Sequence, residues 1–485
     1  MYIGIDLGTS AIKCILIGED GSVIATASEP LQVSRPKPGH SEQDPESWWQ
    51  ATLAGFDKLA RQAPREMAAV RGIGLSGQQH GATLLDKAGN VLRPCILWND
   101  VRSAKECHEL VARLPDLPRV TGNPTLPGFT APKLVWVKKH EPEIFARVAK
   151  VLLPKAYLRY RLSGEFFEDM SDASGTGWLD VGKRAWSKAA LEATDLSLDH
   201  MPALVEGTAL AGRLRTELVQ RWGMTQPPVI AGSAGDNAAG AIALGAIKPG
   251  DAFVSLGTSG VLWATTAGFA PNTTAAVHAF CHCVPNTWHQ MGVILSAASC
   301  LSWLSGVVGV AEGELLKELG DTAERPAPVV FLPYLSGERT PHNDADIRGA
   351  FAGLSHDTSR GTLAQSVMEG VAFAMRDCLE ALQAAGTQLS SLDAIGGGAR
   401  SRLWLSIIAN VLNLSVNRLA DSEVSGAMGG ALLGRMAATG EPATVVCKPP
   451  KRMETLEPRA ATRDAYAESY ARYRKLYPAI KEATR

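Results

Sequence analysis

The chain has 485 residues, of which 46% are hydrophobic and 20% charged, and its formal net charge is −1. This length and composition are typical of a globular protein with two or three domains. The near-zero charge argues against nucleic acid as the main partner, because nucleic-acid binding needs a basic surface. No stretch approaches the roughly 20 uncharged apolar residues that span a bilayer. The eight scattered cysteines and the absence of a leader-like start predict a reduced, cytoplasmic protein that binds no membrane.

The chain opens with a predicted β-meander, since "YIGIDLG", "TSAIKCILIGEDG" and "SVIATASEP" combine apolar alternation with turn residues. A helix is predicted from Pro45, with Asp44 as its cap. "VRGIGLSG" then predicts a strand, and "GATLLDKAGNVLRPCILW" predicts a hairpin with its turn at Ala88 to Asn90. Residues 100–225 have helical, proline-punctuated patterns.

A second beginning occurs near residue 252. There "AFVSLGTSGVLWATT" repeats the strand, Leu-Gly-Thr-Ser turn and strand of "YIGIDLGTSAIKCILI". Helices follow in "DTSRGTLAQSVMEGVAFAMRDCLEALQAAG", then a strand, glycines and a helix, and finally an amphipathic helix whose aromatic residues we expect to pack. The repeat predicts two similar lobes that face each other.

The two repeated turns are candidate phosphate sites. A Gly-Thr-Ser turn brings backbone N–H groups and hydroxyls together, which suits phosphate oxygens; the alternative is an ordinary β-turn. Asp6 precedes the first turn and could hold Mg²⁺, which favours one or two carboxylates plus substrate phosphates. In the second turn Ser255 replaces the acid, so only Asp6 is a predicted metal ligand. The predicted phosphate-binding residues of the two turns are Gly8, Thr9, Ser10, Lys13, Gly257, Thr258 and Ser259.

"IGGGARS", residues 395–401, follows a predicted strand and opens a predicted helix. Consecutive glycines let a ligand approach the backbone, and a helix N-terminus favours an anion. We therefore include Gly397, Gly398 and Ala399 in the nucleotide site; a purely structural glycine turn is the alternative.

A lone acid, Asp236, occurs in "VIAGSAGDNAAGAIALGAI", residues 229–247, with Asn237 beside it. The pattern predicts a strand, a glycine turn and a helix of small residues. In one interpretation Asp236 is the N-cap of that helix. In the other its carboxylate faces a cleft, kept ionised by the helix start.

"SGQQHGA" places Gln79 and His80 just past a strand, between two glycines, where polar side chains suit hydrogen bonds to a polyol. "LWND" adds Trp98 and Asp100 to the predicted sugar site. A hydrogen-bonded structural histidine is the alternative for His80.

Two other motifs point to chemistry that we reject. "GIGLSG" matches the dinucleotide pattern G-x-G-x-x-G, but its glycines lie within a strand instead of opening a helix. A dinucleotide-dependent sugar oxidoreductase would rest on this motif alone. "HAFCHCVPNTWH", residues 278–289, has cysteines and histidines without the spacing of a closed zinc site; we expect buried cysteines and hydrogen-bonded histidines.

The chain resembles the FGGY carbohydrate kinases. "MYIGIDLGTSAIK" resembles their opening phosphate segment, and residues 128–140 and 349–369 resemble their two family patterns. "GQQHG", "LWND", "GDNAAGA", "SLGTSGV" and "PYLSGERTPH" resemble the D-xylulose-phosphorylating branch more than the glycerol-phosphorylating one. Gln79 departs from this branch, in which many members have methionine.

The resemblance implies two actin-like, ribonuclease-H-like α/β lobes, residues 1–246 and 247–485, with a central cleft for ATP and sugar. It implies Mg²⁺·ATP-dependent phosphorylation of D-xylulose, with Asp236 as the catalytic base and Asp6 as the metal carboxylate. Gln79 and His80 would contact the sugar, joined by Trp98, Asp100 and Asn237, and a homodimer is the assembly that we expect. The alternatives are another ketopentose or polyol, such as ribulose or glycerol, and a non-catalytic actin-like sensor.

Overall fold

The computed structural model describes residues 1–420 and 425–484. The first half of the chain is built around one seven-stranded sheet, with short two-stranded sheets beside it. In chain order, strands β1 to β15 are Tyr2–Leu7, Ala11–Ile17, Val23–Pro30, Glu42–Gln43, Gly72–Gly77, Thr83–Leu85, Cys95–Ile96, Lys150–Leu152, Phe167–Asp169, Leu179–Asp180, Ala185–Trp186, Ala203–Val205, Leu210–Arg213, Val229–Ala231 and Ala234–Gly235. Helices α1 to α11 are Pro45–Gln62, Pro64–Ala68, Ala104–Arg113, Leu117–Thr121, Thr130–His140, Pro142–Phe145, Pro154–Ser163, Met170–Ala173, Lys188–Glu192, Thr216–Arg221 and Asp236–Leu244.

The second half contains another seven-stranded sheet. Strands β16 to β24 are Ala252–Leu256, Gly260–Thr266, His278–Cys281, Trp288–Ile294, Val330–Leu332, Ala350–Ala352, Ser391–Ile395, Ser415–Leu419 and Arg452–Leu456. Helices α12 to α18 are Ala298–Val308, Glu312–Leu319, Arg360–Ala384, Arg402–Leu412, Gly426–Thr439, Ala443–Val446 and Arg463–Ala483.

The two large sheets share one topology. The first has the order β3-β2-β1-β5-β14-β13, and the second contains the order β19-β17-β16-β22-β23-β24. In each, the first three strands are antiparallel, the next two run parallel to the third, and the last is antiparallel to its neighbour. The two lobes predicted from the repeated Leu-Gly-Thr-Ser turns are therefore present.

Most predicted elements form where the patterns place them. The opening meander is β1 to β3, and α1 begins at Pro45 with Asp44 accepting a hydrogen bond from the N–H of Glu46 at 3.0 Å. The turn around Ala88 to Asn90 also forms, but its hairpin is limited to isolated bridges, and β6 takes β8 as its ladder partner. The pairing of β6 with a strand more than 60 residues away cannot be predicted from the local sequence pattern.

The "GIGLSG" segment is the buried central strand β5, so the rejection of the dinucleotide interpretation is confirmed. Its glycines have a packing role. A Cβ added at Gly72 or Gly74 would lie 2.2 or 2.0 Å from the carbonyl oxygens of Gly434 and Gly430 in α16. Only glycine permits this helix to approach the strand so closely.

Helix α16 belongs to the second half of the sequence but packs on β1 and β5 of the first sheet. It also contacts α11, where a Cβ on Gly429 would lie 1.9 Å from the carbonyl oxygen of Ala239. A buried apolar cluster includes residues of both helices and of both sheets, among them Tyr2 and Trp263. The two lobes are thus joined through α11 and α16.

The remaining general features agree with the composition. All eight cysteines are buried and none forms a disulfide. Within residues 1–420 and 425–484, no helix is long and apolar enough to cross a bilayer. The aromatic residues of the C-terminal helix pack as expected, with Tyr466, Tyr470 and Tyr473 buried.

Candidate active site

Asp236 is the first residue of α11 and directly follows β15, which pairs with β5. Its exposed carboxylate accepts hydrogen bonds at Oδ1 from the backbone N–H and the side-chain amide of Asn237, at 2.6 and 2.9 Å. Gly235 is the N-cap, and no side chain caps the helix, so the N-cap interpretation of Asp236 is wrong. Oδ2 has no hydrogen-bond partner among the described residues. Asp236 therefore presents one free oxygen to solvent.

The surroundings of Asp236 raise its pKa to about 6. The carboxylate is open to water, but protein on most sides displaces the bulk solvent, and the negative charge of Asp6 adds to this effect. The bonds from Asn237 oppose it. A pKa of about 6 leaves the carboxylate mostly ionised at neutral pH, in agreement with the expectation, although burial and Asp6 make it less acidic than an ordinary aspartate.

Asp6 lies near the end of β1 and faces Lys13 across the β1–β2 hairpin. Oδ1 of this half-buried carboxylate accepts a hydrogen bond from Oγ of Ser76, the paired residue in β5, at 2.8 Å. Burial raises the pKa of Asp6, while Ser76 and Lys13 lower it. Because its charge also raises the pKa of Asp236, the two carboxylates belong to one electrostatic site.

The first hairpin turn, residues 7–10, is tied to the first lobe. The Thr9 hydroxyl donates to Oε1 of Gln78 at 3.1 Å and accepts from Nε1 of Trp98 at 3.0 Å. The Thr9 carbonyl accepts from Gln43 at 2.7 Å, and the N–H of Gly8 donates to the carbonyl of Ala11 at 3.0 Å. The hydroxyl proton of Thr9 is therefore already donated within the protein. Ser10 and Lys13 are exposed beside it.

The second hairpin turn, residues 256–259, exposes the side chains of Thr258 and Ser259. Its backbone is anchored from α12, because the Thr258 carbonyl accepts from the N–H of Ala297 and from the Ser299 hydroxyl, at 2.9 and 2.7 Å. Neither turn hydroxyl has a partner among the described residues. Thr258 and Ser259 are thus free to donate to a ligand.

The predicted glycine segment adjoins this second turn. It follows β22 and forms a short 3₁₀ helix, Gly397–Arg400, before α15. A Cβ on Gly398 would lie 2.8 Å from Cβ of Leu256, the residue that begins the turn. Gly397 is exposed, whereas Gly398 and Ala399 are buried. The structure thus brings two segments of the predicted nucleotide site together.

Gln79 and His80 lie next to the Asp236 helix start. Gln79 packs on Gly235, where a Cβ would be only 2.6 Å from its Nε2. His80 has φ +68°, stacks on Phe129 with 4.6 Å between ring centroids, and places Nδ1 2.7 Å from the Gly175 carbonyl oxygen. Burial lowers the pKa of His80 to about 3. The neutral ring then donates from Nδ1 and offers Nε2 as an acceptor.

Trp98 and Asp100 have different surroundings. Trp98 is 47% exposed beside the first hairpin turn. Asp100 is buried, accepts from the N–H of Ser41 at 2.6 Å, and forms two side-chain bonds with Arg102 at 2.9 and 2.7 Å. Both Asp100 oxygens are occupied, so the structure does not bring this carboxylate to a ligand surface.

The segment "HAFCHCVPNTWH" contains β18 and part of β19. Cys281 and Cys283 are buried, His278 is bonded to Asn123 at 2.8 Å, and His282 to the carbonyl of Ala246 at 3.1 Å, as predicted. His289 is the exception: both ring nitrogens are buried without a hydrogen bond, and the ring stacks on Trp263 at 3.7 Å.

Two features near Gln79 and His80 were not predicted. Arg339 is half-buried in the "GERTPH" segment, and its positive charge adds to burial, the larger cause, in lowering the pKa of His80 and His278. Ser171 accepts a hydrogen bond from Gln79 through its carbonyl, at 3.3 Å. Arg339 belongs to the "PYLSGERTPH" motif, which could have indicated it. Ser171 is marked in the sequence only by its place in the polar segment "EDMSDAS".

Comparison with known families identifies the protein class. Residues 1–243 match the N-terminal domain, and residues 252–438 the C-terminal domain, of the FGGY family of carbohydrate kinases. The chain belongs to this family. This FGGY kinase is 49% identical over 479 residues to the xylulose kinase of Escherichia coli K12, covering 98% of both chains. It is 49% identical over 442 residues to the xylulose kinase of Klebsiella pneumoniae, covering 91% of both.

Solved structures agree with this assignment. The FGGY kinase superposes on a kinase from Brucella ovis, described as a xyloylose kinase, with a TM-score of 0.97, 54% identity and 99% coverage of both chains. A xylulose kinase from Rhodospirillum rubrum gives a TM-score of 0.93 at 28% identity, again covering 99% of both. The prediction of two actin-like α/β lobes is confirmed, and the protein is a sugar kinase. The boundary at residue 246 stays a prediction.

Proposed function

We propose that this FGGY kinase transfers the γ-phosphoryl group of ATP to the terminal hydroxyl of D-xylulose, giving D-xylulose 5-phosphate. The observation that carries the proposal is the free Oδ2 of Asp236, exposed at a helix start beside Gln79 and His80. Relatives that are xylulose kinases over almost the whole chain support the choice of sugar.

Asp236 is the proposed general base. A sugar hydroxyl is a weak nucleophile, and a positioned carboxylate accepts its proton as the bond to phosphorus forms. Asn237 holds Oδ1 through two hydrogen bonds, which leaves Oδ2 for the substrate hydroxyl. A pKa of about 6 makes the carboxylate more basic than an ordinary aspartate while keeping it mostly ionised at neutral pH.

The nucleotide is proposed to lie against the two hairpin turns and the 397–399 segment. Backbone N–H groups of the first turn, Ser10, Lys13 and the free hydroxyls of Thr258 and Ser259 would hold the phosphates. Asp6 fits a Mg²⁺ ligand, because only its Oδ1 has a hydrogen-bond donor among the described residues. When bound, Mg²⁺ neutralises phosphate charge.

The sugar is proposed to lie against Gln79 and His80, with Trp98 and Asn237 at its margins. Gln79 uses Nε2 on the Ser171 carbonyl, so Oε1 can accept from a sugar hydroxyl. His80 offers Nε2 as a second acceptor. The buried Asp100 is proposed to support this region through Arg102 without touching the sugar.

A coupled assay of ADP release tests the substrate. We expect D-xylulose to give the highest kcat/KM in a panel that also contains D-ribulose, L-ribulose, glycerol and gluconate. Equal values for glycerol and D-xylulose would contradict the assignment. Faster turnover of another ketopentose would keep the chemistry and replace the sugar.

Asp236→Asn tests the base. The variant should fold and bind sugar but lose about 10²- to 10⁴-fold in kcat, as expected when a general base is removed. Asp464→Asn is a matched control, because Asp464 is an exposed acid in the first turn of another helix, α18. Near-normal turnover of Asp236→Asn would remove this residue from the mechanism.

The cytoplasmic location and the homodimer stay predictions. Light scattering on the purified protein would measure its mass in solution against the 51.4 kDa of one chain. A mass near twice that value is expected, and a mass near one chain would contradict it.

A further inference from the structure

A buried charge cluster lies behind the Asp236 helix start. Nζ of Lys155 is 2.7 Å from Asp169, 2.9 Å from Glu168 and 3.4 Å from Asp172, and all four side chains are at most 1% exposed. The acids come from β9 and α8, and the lysine from α7. Buried charges are costly unless they are paired. Lys155 pairs with the acids, Arg159 lies 3.9 Å from Glu168, and burial raises the pKa of Asp172 well above its usual range. The cluster therefore ties α7, β9 and α8 together.

Ser171 connects this cluster to the site. Its backbone N–H donates to Oδ1 of Asp169 at 2.9 Å, and its hydroxyl donates to the same oxygen. The hydroxyl oxygen then accepts the N–H of Gly235 at 3.1 Å. Its carbonyl accepts from Nε2 of Gln79. One buried residue thus holds both the glycine that precedes Asp236 and a wall of the sugar site.

Gly235 needs such a restraint. A Cβ at this position would lie 2.6 Å from Nε2 and 2.7 Å from Cδ of Gln79, so a larger residue would require the Gln79 side chain to move. Glycine also has the most backbone freedom of any residue. If the backbone at Gly235 changed conformation, the carboxylate of the next residue, the proposed base, would adopt a range of orientations. Misplacement by a fraction of an ångström lowers the rate of the reaction.

We propose that Ser171 is a positioning residue, whose hydroxyl fixes the Gly235 peptide and thereby the direction of the Asp236 carboxylate. This inference rests on the proposed role of Asp236 as the base. Lys155 keeps Asp169 paired, and Asp169 orients the Ser171 hydroxyl so that its oxygen faces Gly235. Sugar binding and base orientation are separable, because Gln79 bonds the Ser171 backbone and Gly235 bonds its side chain.

Ser171→Ala tests the proposal through that separation. It removes the hydroxyl and keeps the carbonyl, so we expect kcat to fall about three- to tenfold, the range for one lost hydrogen bond. The KM values for sugar and ATP should stay within twofold. Ser366→Ala is the matched control, because Ser366 is also fully buried and donates within its own helix, to the carbonyl of Leu363.

Amide hydrogen exchange gives a readout without substrate. Peptides covering residues 232–240 should exchange faster in Ser171→Ala than in the wild type or in Ser366→Ala, and Ser171→Thr, which keeps a hydroxyl, should restore both exchange and kcat. Should the alanine variant lose its fold, Ser171→Cys replaces the hydroxyl with a weakly bonding thiol. An unchanged kcat, or an exchange pattern equal to that of the control, overturns the inference.

The two proposals fail in different ways. A wild-type protein that phosphorylates no sugar of the panel would overturn the proposed function, while the exchange experiment would still decide whether Ser171 holds Gly235. A wild-type protein that is active, together with a Ser171→Ala variant of normal kcat, would leave the function intact and remove the positioning role.

Discussion

The two hairpin turns have the same letters and strand context but different surroundings. In the first, the Thr9 hydroxyl is bonded to Gln78 and Trp98, and a carboxylate, Asp6, precedes the turn. In the second, Thr258 and Ser259 are free and exposed, and Ser255 stands in place of the acid. The repeated motif thus has an acid and a bonded threonine in the first lobe, and a free threonine without the acid in the second.

The largest expected effect comes from the acid that only the first turn has. Asp6→Asn should lower kcat about a hundredfold, because the proposed metal ligand loses its charge and charge stabilisation of the phosphates is worth several kcal/mol. Ser255→Ala, at the equivalent position of the second turn, should stay near the wild-type value. Steady-state assays with Mg²⁺ and ATP measure both. Equal losses of kcat in the two variants would contradict the proposed difference between the two turns.

The close packing of α16 on the first sheet contrasts with the open surface of α12 in the second lobe. Gly74→Ala places a methyl group 2.0 Å from the Gly430 carbonyl oxygen, so it should lower the free energy of unfolding by about 1–3 kcal/mol. Gly306→Ala, in the exposed interior of α12 with no atom near the added Cβ, should raise it by up to about 1 kcal/mol. Urea unfolding followed by circular dichroism measures the two changes. A stable Gly74→Ala variant would show that α16 can move away from β5.

We expect the pH dependence of kcat to reflect the carboxylates of the first lobe. Burial first and the charge of Asp6 second raise the pKa of Asp236 to about 6, against the bonds from Asn237. Asp172 also lies within electrostatic range. The ionised form is the proposed base, so kcat should be constant above this value and fall about tenfold per pH unit below it. His80, with its pKa of about 3, stays neutral throughout this range. A kcat that is flat down to pH 5 would contradict the assignment.

The smallest effects separate the two threonines. Thr258→Val should raise the KM for ATP about three- to tenfold, because a free hydroxyl donor is lost. Thr9→Val should change that KM less than threefold, since the Thr9 proton is already donated to Gln78. It should instead lower stability by leaving Oε1 of Gln78 and Nε1 of Trp98 without their hydrogen-bond partner. Initial rates and thermal melting of both variants test this difference. Reversed results would mean that the first turn also donates through its hydroxyl.

Local pattern predicted much of this fold. Alternation and turn residues located β1 to β3, β16 and β17, and the cap at Asp44 located α1. The lone acid in a small-residue segment located the start of α11. Each of these predictions depends on residues that are close together in the chain, so the pattern can be read from the sequence itself.

Contacts between distant residues account for what was missed. The burial of Asp100 against Ser41, the pairing of β6 with β8 and the unbonded ring of His289 depend on segments far apart in the chain. Gly235 also looked like part of a flexible turn. Its close contact with Gln79, whose Nε2 would lie 2.6 Å from an added Cβ, is visible only in the folded chain.

The docking of α16 on β1 and β5 has a consequence for synthesis of the protein. While a ribosome is still making the chain, the first sheet emerges long before residues 426–439, which cover its central glycine-containing strands. That face must remain uncovered, and open to chaperones or to aggregation, until almost nine-tenths of the polypeptide exists. Maturation of the amino-terminal lobe is therefore a late event, completed by the carboxy-terminal part of the same chain.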